Sequence, residues 1–127
     1  MVTEATTSLY RRLGGYDVIA AVIDDMFAAL RADPAFARFA SGRSLDSHMR
    51  ARQLLVDQMC ELSGGPCYYI GRDMRTAHDG LAISEAEWHA NMNYADAALM
   101  KNGVAELERA EFLALFERYR NEIVETD

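Results

Sequence analysis

Residues 64–78 read GGPCYYIGRDMRTAH, and this stretch decides how the middle of the chain folds. Its Gly-Gly-Pro start stops a preceding helix, because glycine ends helices in the left-handed conformation and proline cannot continue them. A loop follows, and then a short helix is expected over 73–79. The helical spacing places Met74, Ala77 and His78 on one face of it, so the His78 imidazole is predicted to point inward among apolar neighbours.

Helical periodicity extends outward from this stretch in both directions. Apolar residues recur at helical spacing almost throughout, and no segment alternates convincingly at period two. Asp17 is the expected N-cap of one helix, and Ser84 with Glu87 forms a capping box for another. Further helices are predicted over 17–33, 46–63, 84–102 and 106–124. The sequence therefore predicts an all-α protein, with a flexible tail over 1–8 and a single domain over 9–127.

The composition indicates an acidic chain of ordinary globular type. It has 127 residues, 50% of them hydrophobic, and 13 Lys and Arg against 20 Asp and Glu give a net charge of −7. The acidic balance argues against nucleic acid, which needs a concentrated basic face. No apolar run approaches the ~20 residues that span a bilayer, and the first residues lack the pattern of a secretory signal. We therefore expect a cytoplasmic protein that binds neither nucleic acid nor membranes.

Cys60 and Cys67 lie seven residues apart in the sequence. Their spacing differs from that of a zinc knuckle, and a disulfide requires an oxidising compartment that nothing in the sequence indicates. Both cysteines are therefore expected to be reduced and to pack as small hydrophobic side chains.

Three histidines are the natural candidates for metal binding. His48 and His89 have polar neighbours and are predicted to face solvent, whereas His78 points inward. A histidine on an apolar face is more often a packed core residue than a ligand. A zinc site is disfavoured, because no second His or Cys lies near His78 at ligand spacing. A single inward imidazole does suit haem, where the porphyrin supplies four nitrogens and the protein one axial ligand.

Four linked motifs resemble one family. They are Leu9-Tyr10-Arg11-Arg12-Leu13-Gly14-Gly15, Gly64-Gly65-Pro66 with Tyr69 and Gly71, Met74-Arg75-Thr76-Ala77-His78, and Ile83-Ser84-Glu85-Ala86-Glu87-Trp88. Over residues 9–104 the chain resembles the truncated globins, and among them the group I-like members. The resemblance implies a two-on-two helical sandwich around haem b, with His78 as the metal ligand. We expect the other imidazole nitrogen of His78 to donate to a backbone carbonyl or water, which fixes the tautomer.

The resemblance also implies which side chains surround the cofactor. The porphyrin edge and its propionates are expected to contact Tyr69, Arg72, Met74 and Arg75. The remaining cofactor-binding residues are Phe27, Phe39, Leu54, Leu55 and Trp88.

The distal side departs from the family pattern. Many relatives carry a tyrosine at the position of Phe27 and a polar group at one of Ala51, Leu54 and Leu55, so a largely apolar distal pocket is expected. The best match to an aromatic position after Pro34 falls on Ala40, beside Phe39, and the register of the following helix stays open. With another register, the ligand is reached by His48, Arg52, Gln53, Gln58 or Asn91, or a thioether of Met49 or Met59 takes the sixth position.

The resemblance implies a haem protein that binds oxygen, nitric oxide or carbon monoxide reversibly, as in oxygen transport. The alternative is a nitric oxide dioxygenase that forms nitrate with a reductase partner. The retained His78 argues against a helical interaction module that has lost haem. A sensor is disfavoured because no output domain is expected in these 127 residues. Carrier and enzyme both stay open, because a fold does not fix a function. The protein is expected to be a monomer or a weak homodimer.

Overall fold

The computed structural model describes residues 7–40 and 42–127, without the side chain of Ala40. Most of the predicted tail and the Ala40 match to the aromatic position therefore lie outside the description. The elements, in chain order, are α1 (Leu9–Leu13), α2 (Tyr16–Ala32), a 3-10 turn (Pro34–Phe36), α3 (Ala37–Ala40), α4 (Leu45–Leu62), α5 (Met74–His78), β1 (Ile83–Ser84), α6 (Glu85–Lys101), α7 (Glu106–Glu117), α8 (Arg120–Ile123) and β2 (Val124–Thr126).

The predicted all-α fold is confirmed, and the main difference lies at the C-terminus. The single helix predicted over 106–124 is wrong beyond Glu117, where α7 ends. The chain then forms the short α8 and pairs β2 in parallel with β1. Strands of two and three residues are too short to show a period in the sequence. This pairing brings the C-terminus beside the loop that follows α5.

The helix starts follow local capping chemistry. The capping box at Ser84 is confirmed: Glu87 N–H donates to Ser84 Oγ at 3.1 Å, and Ser84 N–H donates to Glu87 Oε1 at 2.9 Å. Asp17 as an N-cap is wrong, since α2 begins at Tyr16 and Gly15 is its N-cap. Gly15 has φ 88°, a left-handed conformation that glycine adopts without strain, so the chain enters α2 directly from α1.

Among the residues that the structure describes, two groups of buried side chains form the interior. The main cluster joins α2 to α4, α6 and α7, and its most buried members include Ile19, Ile23, Val56, Leu99 and Phe112. The second cluster consists of Met74, Trp88 and Ile123, with partly buried aromatics around it. The chain thus builds one large apolar core and one small one.

Cys60 and Cys67 form a disulfide, with Cα atoms 5.7 Å apart. The prediction of reduced cysteines is therefore wrong. The tight turn at Gly64 and Gly65 folds the chain back on the end of α4, and a Cβ on Gly65 would overlap the Tyr10 ring. Sequence spacing alone does not reveal this return. No helix in residues 7–40 and 42–127 is long and apolar enough to cross a membrane; cytoplasmic location stays a prediction.

Candidate functional site

A cavity of about 580 Å³ separates α4 from α5 and the C-terminal residues, with α2 and α6 completing its walls. This volume is within the range of small-molecule and cofactor sites. The structure brings nine of the residues predicted from the family resemblance into its lining: Phe27, Phe39, Leu54, Leu55, Tyr69, Arg72, Met74, His78 and Trp88. Residues far apart in the sequence therefore converge on one site.

His78 enters the cavity from the last position of α5. Its Nδ1 lies 2.9 Å from the carbonyl oxygen of Met74, so Nδ1 carries the proton and donates it to that carbonyl. This is the backbone hydrogen bond expected from the sequence. Nε2 has no hydrogen-bond partner among the described residues. The arrangement leaves one nitrogen lone pair available on a half-buried imidazole.

The wall opposite α5 is mainly apolar. Phe27 and Met26 come from α2, and Leu54, Leu55 and Met59 come from α4. Leu55 and Met59 lie four residues apart and Leu54 adjoins Leu55, so the three side chains lie on neighbouring parts of one helical face. This part of the cavity is therefore lined mainly by apolar side chains.

Gln58 is the exception in that wall. It lies on the same α4 face, its residue is only 7% exposed, and it lines the cavity. Its carboxamide makes no hydrogen bond within the described part of the chain, and its polar atoms are not among the fully buried ones, so they are accessible from the cavity. Position 58 follows Leu54 by four residues and Leu55 by three, so Gln58 shares their helical face, and it is one of the alternatives that the sequence offered for another register. A polar group thus enters a cavity that was expected to be apolar.

The other polar alternatives divide into two groups. His48 and Asn91 line the cavity, so the prediction that His48 faces solvent is wrong: its imidazole is half-buried there. Arg52 and Gln53 are held elsewhere. Arg52 Nε donates to Asp24 Oδ1 at 2.8 Å, which lowers the pKa of Asp24. Gln53 Nε2 donates to Tyr16 Oη at 2.8 Å.

Exposed arginines surround the cavity despite the acidic balance of the chain. Those that contribute to its lining are Arg31, Arg43, Arg50 and Arg72. Arg75 is exposed and does not contribute, because it lies on a different side of α5 from Met74, Ala77 and His78. Tyr69 Oη donates to the carbonyl of Arg72, and burial raises the pKa of the Tyr69 phenol. Guanidinium groups at this rim suit the carboxylates of a ligand.

The donor set fits a haem better than a metal ion held by protein alone. Within the described residues, no group of three or more His, Cys, Asp and Glu side chains is placed to hold a metal ion. One free imidazole nitrogen, apolar walls and a basic rim are the features that an iron porphyrin with two propionates requires.

Comparisons with known proteins agree with this geometry. A family model described as bacterial-like globin matches residues 8–125. A group 1 truncated hemoglobin of Tetrahymena pyriformis is 26% identical over 117 residues, covering 92% of this chain and 94% of that protein. One from Mycolicibacterium paratuberculosis is 26% identical and covers 84% and 76%. The solved Fe(III) structure of the Tetrahymena protein has a TM-score of 0.84 at 24% identity, covering 93% of this chain and 98% of that one.

Proposed function

This chain belongs to the bacterial-like globin family, as a group I-like truncated globin with a haem cofactor, and we propose that it binds oxygen, nitric oxide or carbon monoxide reversibly at an iron held by His78. The observation that carries the proposal is the free Nε2 of His78 at the cavity wall. When bound, haem would supply an iron that His78 Nε2 would hold and that would bind a small gas.

The hydrogen bond between Met74 and His78 orients the imidazole for binding iron. The hydrogen bond to the Met74 carbonyl keeps the proton on Nδ1 and fixes the ring orientation. A donated Nδ1 proton also makes Nε2 a stronger electron donor. Because both residues lie on the five-residue α5, the orientation of the imidazole depends on contacts within one short helix.

The cavity walls support the cofactor by different interactions. Phe27, Leu54 and Leu55 offer apolar surface from α2 and α4, and Met74 and Trp88 do so from α5 and α6. Burial of a flat apolar ring against them is favoured by about 25 cal/mol for each Å² removed from water. The propionates are assigned to the basic rim, in which Arg72 and Tyr69 are the predicted contacts.

His78→Ala tests the proposal, with His89→Ala as its control. The His89 side chain is 72% exposed and does not line the cavity. We expect His78→Ala to abolish stoichiometric haem uptake or to shift the Soret band, measured by titrating haem into the purified protein. The His89 variant should behave as the unsubstituted chain. A stoichiometric, unshifted Soret band in His78→Ala would overturn the assignment of the ligand.

A nitric oxide dioxygenase is the second candidate function. It is supported by the unpartnered carboxamide of Gln58, since a reaction that develops negative charge benefits from a buried hydrogen-bond donor. Nitric oxide, oxygen and one electron combine to give nitrate, and the electron must come from a reductase. The test supplies both gases with a reductase and measures nitrate. Nitrate formed over many turnovers supports the enzyme, whereas at most one equivalent supports the carrier.

A further inference from the structure

The loop that follows His78 has an uncommon backbone conformation. After α5 ends, the chain turns through Gly80 at φ 82° and Ala82 at φ 53°. Among residues 7–40 and 42–127, Ala82 is the one residue other than glycine with positive φ. A residue with a Cβ is strained there and keeps the conformation only where neighbouring groups hold it.

Glu125 holds this loop from β2. Its Oε1 accepts from the Ala82 N–H at 3.0 Å, and its Oε2 accepts from the Gly80 N–H at 3.2 Å. The parallel pairing of β2 with β1 delivers the carboxylate to these amides. Each of the two hydrogen bonds is charge-assisted and therefore stronger than one between neutral groups.

Arg38 holds the same loop through its carbonyl groups. Its Nη2 donates to the carbonyl oxygens of Leu81 and Ala82, each at 3.3 Å. The same guanidinium binds the Glu87 carboxylate, with Nη2 at 2.8 Å from Oε1. An anion on the amides and a cation on the carbonyls thus bind opposite polar groups of one short segment.

The C-terminal residues also contact the helix that carries His78. Ile123, two positions before Glu125, is buried in the second cluster with Met74. The carbonyl of Met74 accepts from His78 Nδ1. The C-terminal segment therefore contacts α5 at its start, through Met74, and the loop that follows its end.

We propose that Glu125 is a positioning residue for His78, which holds loop residues 79–83 so that the imidazole keeps one orientation toward the cofactor. The proposal rests on the proposed function, because it concerns the iron ligand. Loss of the carboxylate leaves the amides of Gly80 and Ala82 without their acceptor. It also removes a contact that holds Ala82 at positive φ, so the end of α5 gains freedom.

Glu125→Gln tests this proposal, with Glu122→Gln as the matched control. The Glu122 carboxylate lies on the same segment and has no hydrogen-bond or ion-pair partner in the described part of the chain. Glutamine keeps the size of glutamate but loses its charge and one acceptor oxygen. Amide hydrogen exchange at Gly80 and Ala82, in the cofactor-free and haem-loaded protein, measures the contact itself. The iron–histidine stretching band of the ferrous protein measures its effect on His78.

Glu125→Gln should raise exchange about tenfold at the amide that loses its acceptor oxygen, as expected for the loss of a charge-assisted hydrogen bond, and less at the amide that keeps the glutamine carbonyl as acceptor. It should also shift and broaden the iron–histidine band, while Glu122→Gln changes neither. Unchanged exchange would overturn the contact, and faster exchange with an unchanged band would overturn the positioning role. An iron–histidine band missing from the unsubstituted, haem-loaded chain would instead contradict the proposed function, so the two failures are distinguishable.

Discussion

The main and second clusters are stabilised in different ways. In the main cluster, long helices bury complete apolar faces against one another, and Ile23, Leu99 and Phe112 have no exposed surface. In the second cluster, Met74 and Ile123 are 9% and 8% exposed, and the adjoining loop is held by Glu125 and Arg38. The first region is stable through packing. The second depends on polar contacts and on what fills the cavity beside it.

This difference has a consequence for cofactor binding. Residues of the second cluster line the cavity, so a bound haem adds apolar contacts there. A ligand that binds only the folded state stabilises that state. The second region should therefore gain more order from haem than the main cluster does.

The largest expected effect is on the free energy of unfolding and comes from a substitution in the main cluster. Phe112→Ala removes a fully buried ring and should lower the free energy of unfolding by about 3–5 kcal/mol, with or without haem. Ile123→Ala in the second cluster should cost about 2–3 kcal/mol and should also speed haem loss. Denaturant unfolding of both forms and transfer of haem to an acceptor protein measure these effects. Equal haem loss from the two variants would contradict the distinction.

The disulfide joins the main cluster, through Cys60, to the loop that leads to the second region. Its reduction should lower the free energy of unfolding by about 2.5 kcal/mol, because an open chain of this loop length gains conformational entropy when unfolded. Thermal unfolding with and without a thiol reductant measures the change. Cys60→Ala/Cys67→Ala is the control and should not respond to the reductant. An equal response would show that the reductant acts elsewhere.

Gln58 is the polar side chain in the mainly apolar wall of the cavity. If its carboxamide donates to the bound gas, Gln58→Leu should release oxygen about tenfold faster, corresponding to about 1.4 kcal/mol. Phe27→Tyr adds a donor on the same wall and should slow release. The control is Gln53→Leu, whose amide binds Tyr16 outside the lining. Stopped-flow displacement of oxygen by carbon monoxide measures the rates, and equal rates for the Gln58 and Gln53 variants would contradict the role.

The smallest effect concerns pH and the Arg38–Glu87 pair beside the loop. The Arg38 guanidinium lowers the pKa of Glu87 from 4.5 to about 2. A carboxylate with a lowered folded-state pKa contributes stability that is complete above pH 4.5 and is lost as the pH falls toward 2. Glu87→Gln and Arg38→Leu should each reduce the acid dependence in that window. Acid unfolding followed by circular dichroism measures it, and an unchanged profile in both variants would contradict the contribution.

Local signals in the sequence predicted a large part of the fold. Helical periodicity located the main helices, and the capping box located the start of α6. The spacing in α5 predicted that His78 points inward, because residues three and four apart share a helical face. The predicted wall residues, such as Phe27 and Leu54, line one cavity.

Other features depend on contacts between distant residues. The pairing of β2 with β1 joins positions about forty residues apart, for which two short strands give no period. The disulfide depends on how the Gly64–Gly65 turn returns to α4. The burial of Gln58 depends on which α4 face meets the cavity.

Local sequence patterns predicted the helical class, the order of the main helices and the inward direction of His78, because these depend on neighbours within a few residues. The tertiary structure alone decided the disulfide, the polar group in the distal wall and the hold of Glu125 on the loop after His78. Each of these needs two segments to meet in space. Periodicity records which side of a helix is apolar, but it does not record the partner that the side will contact.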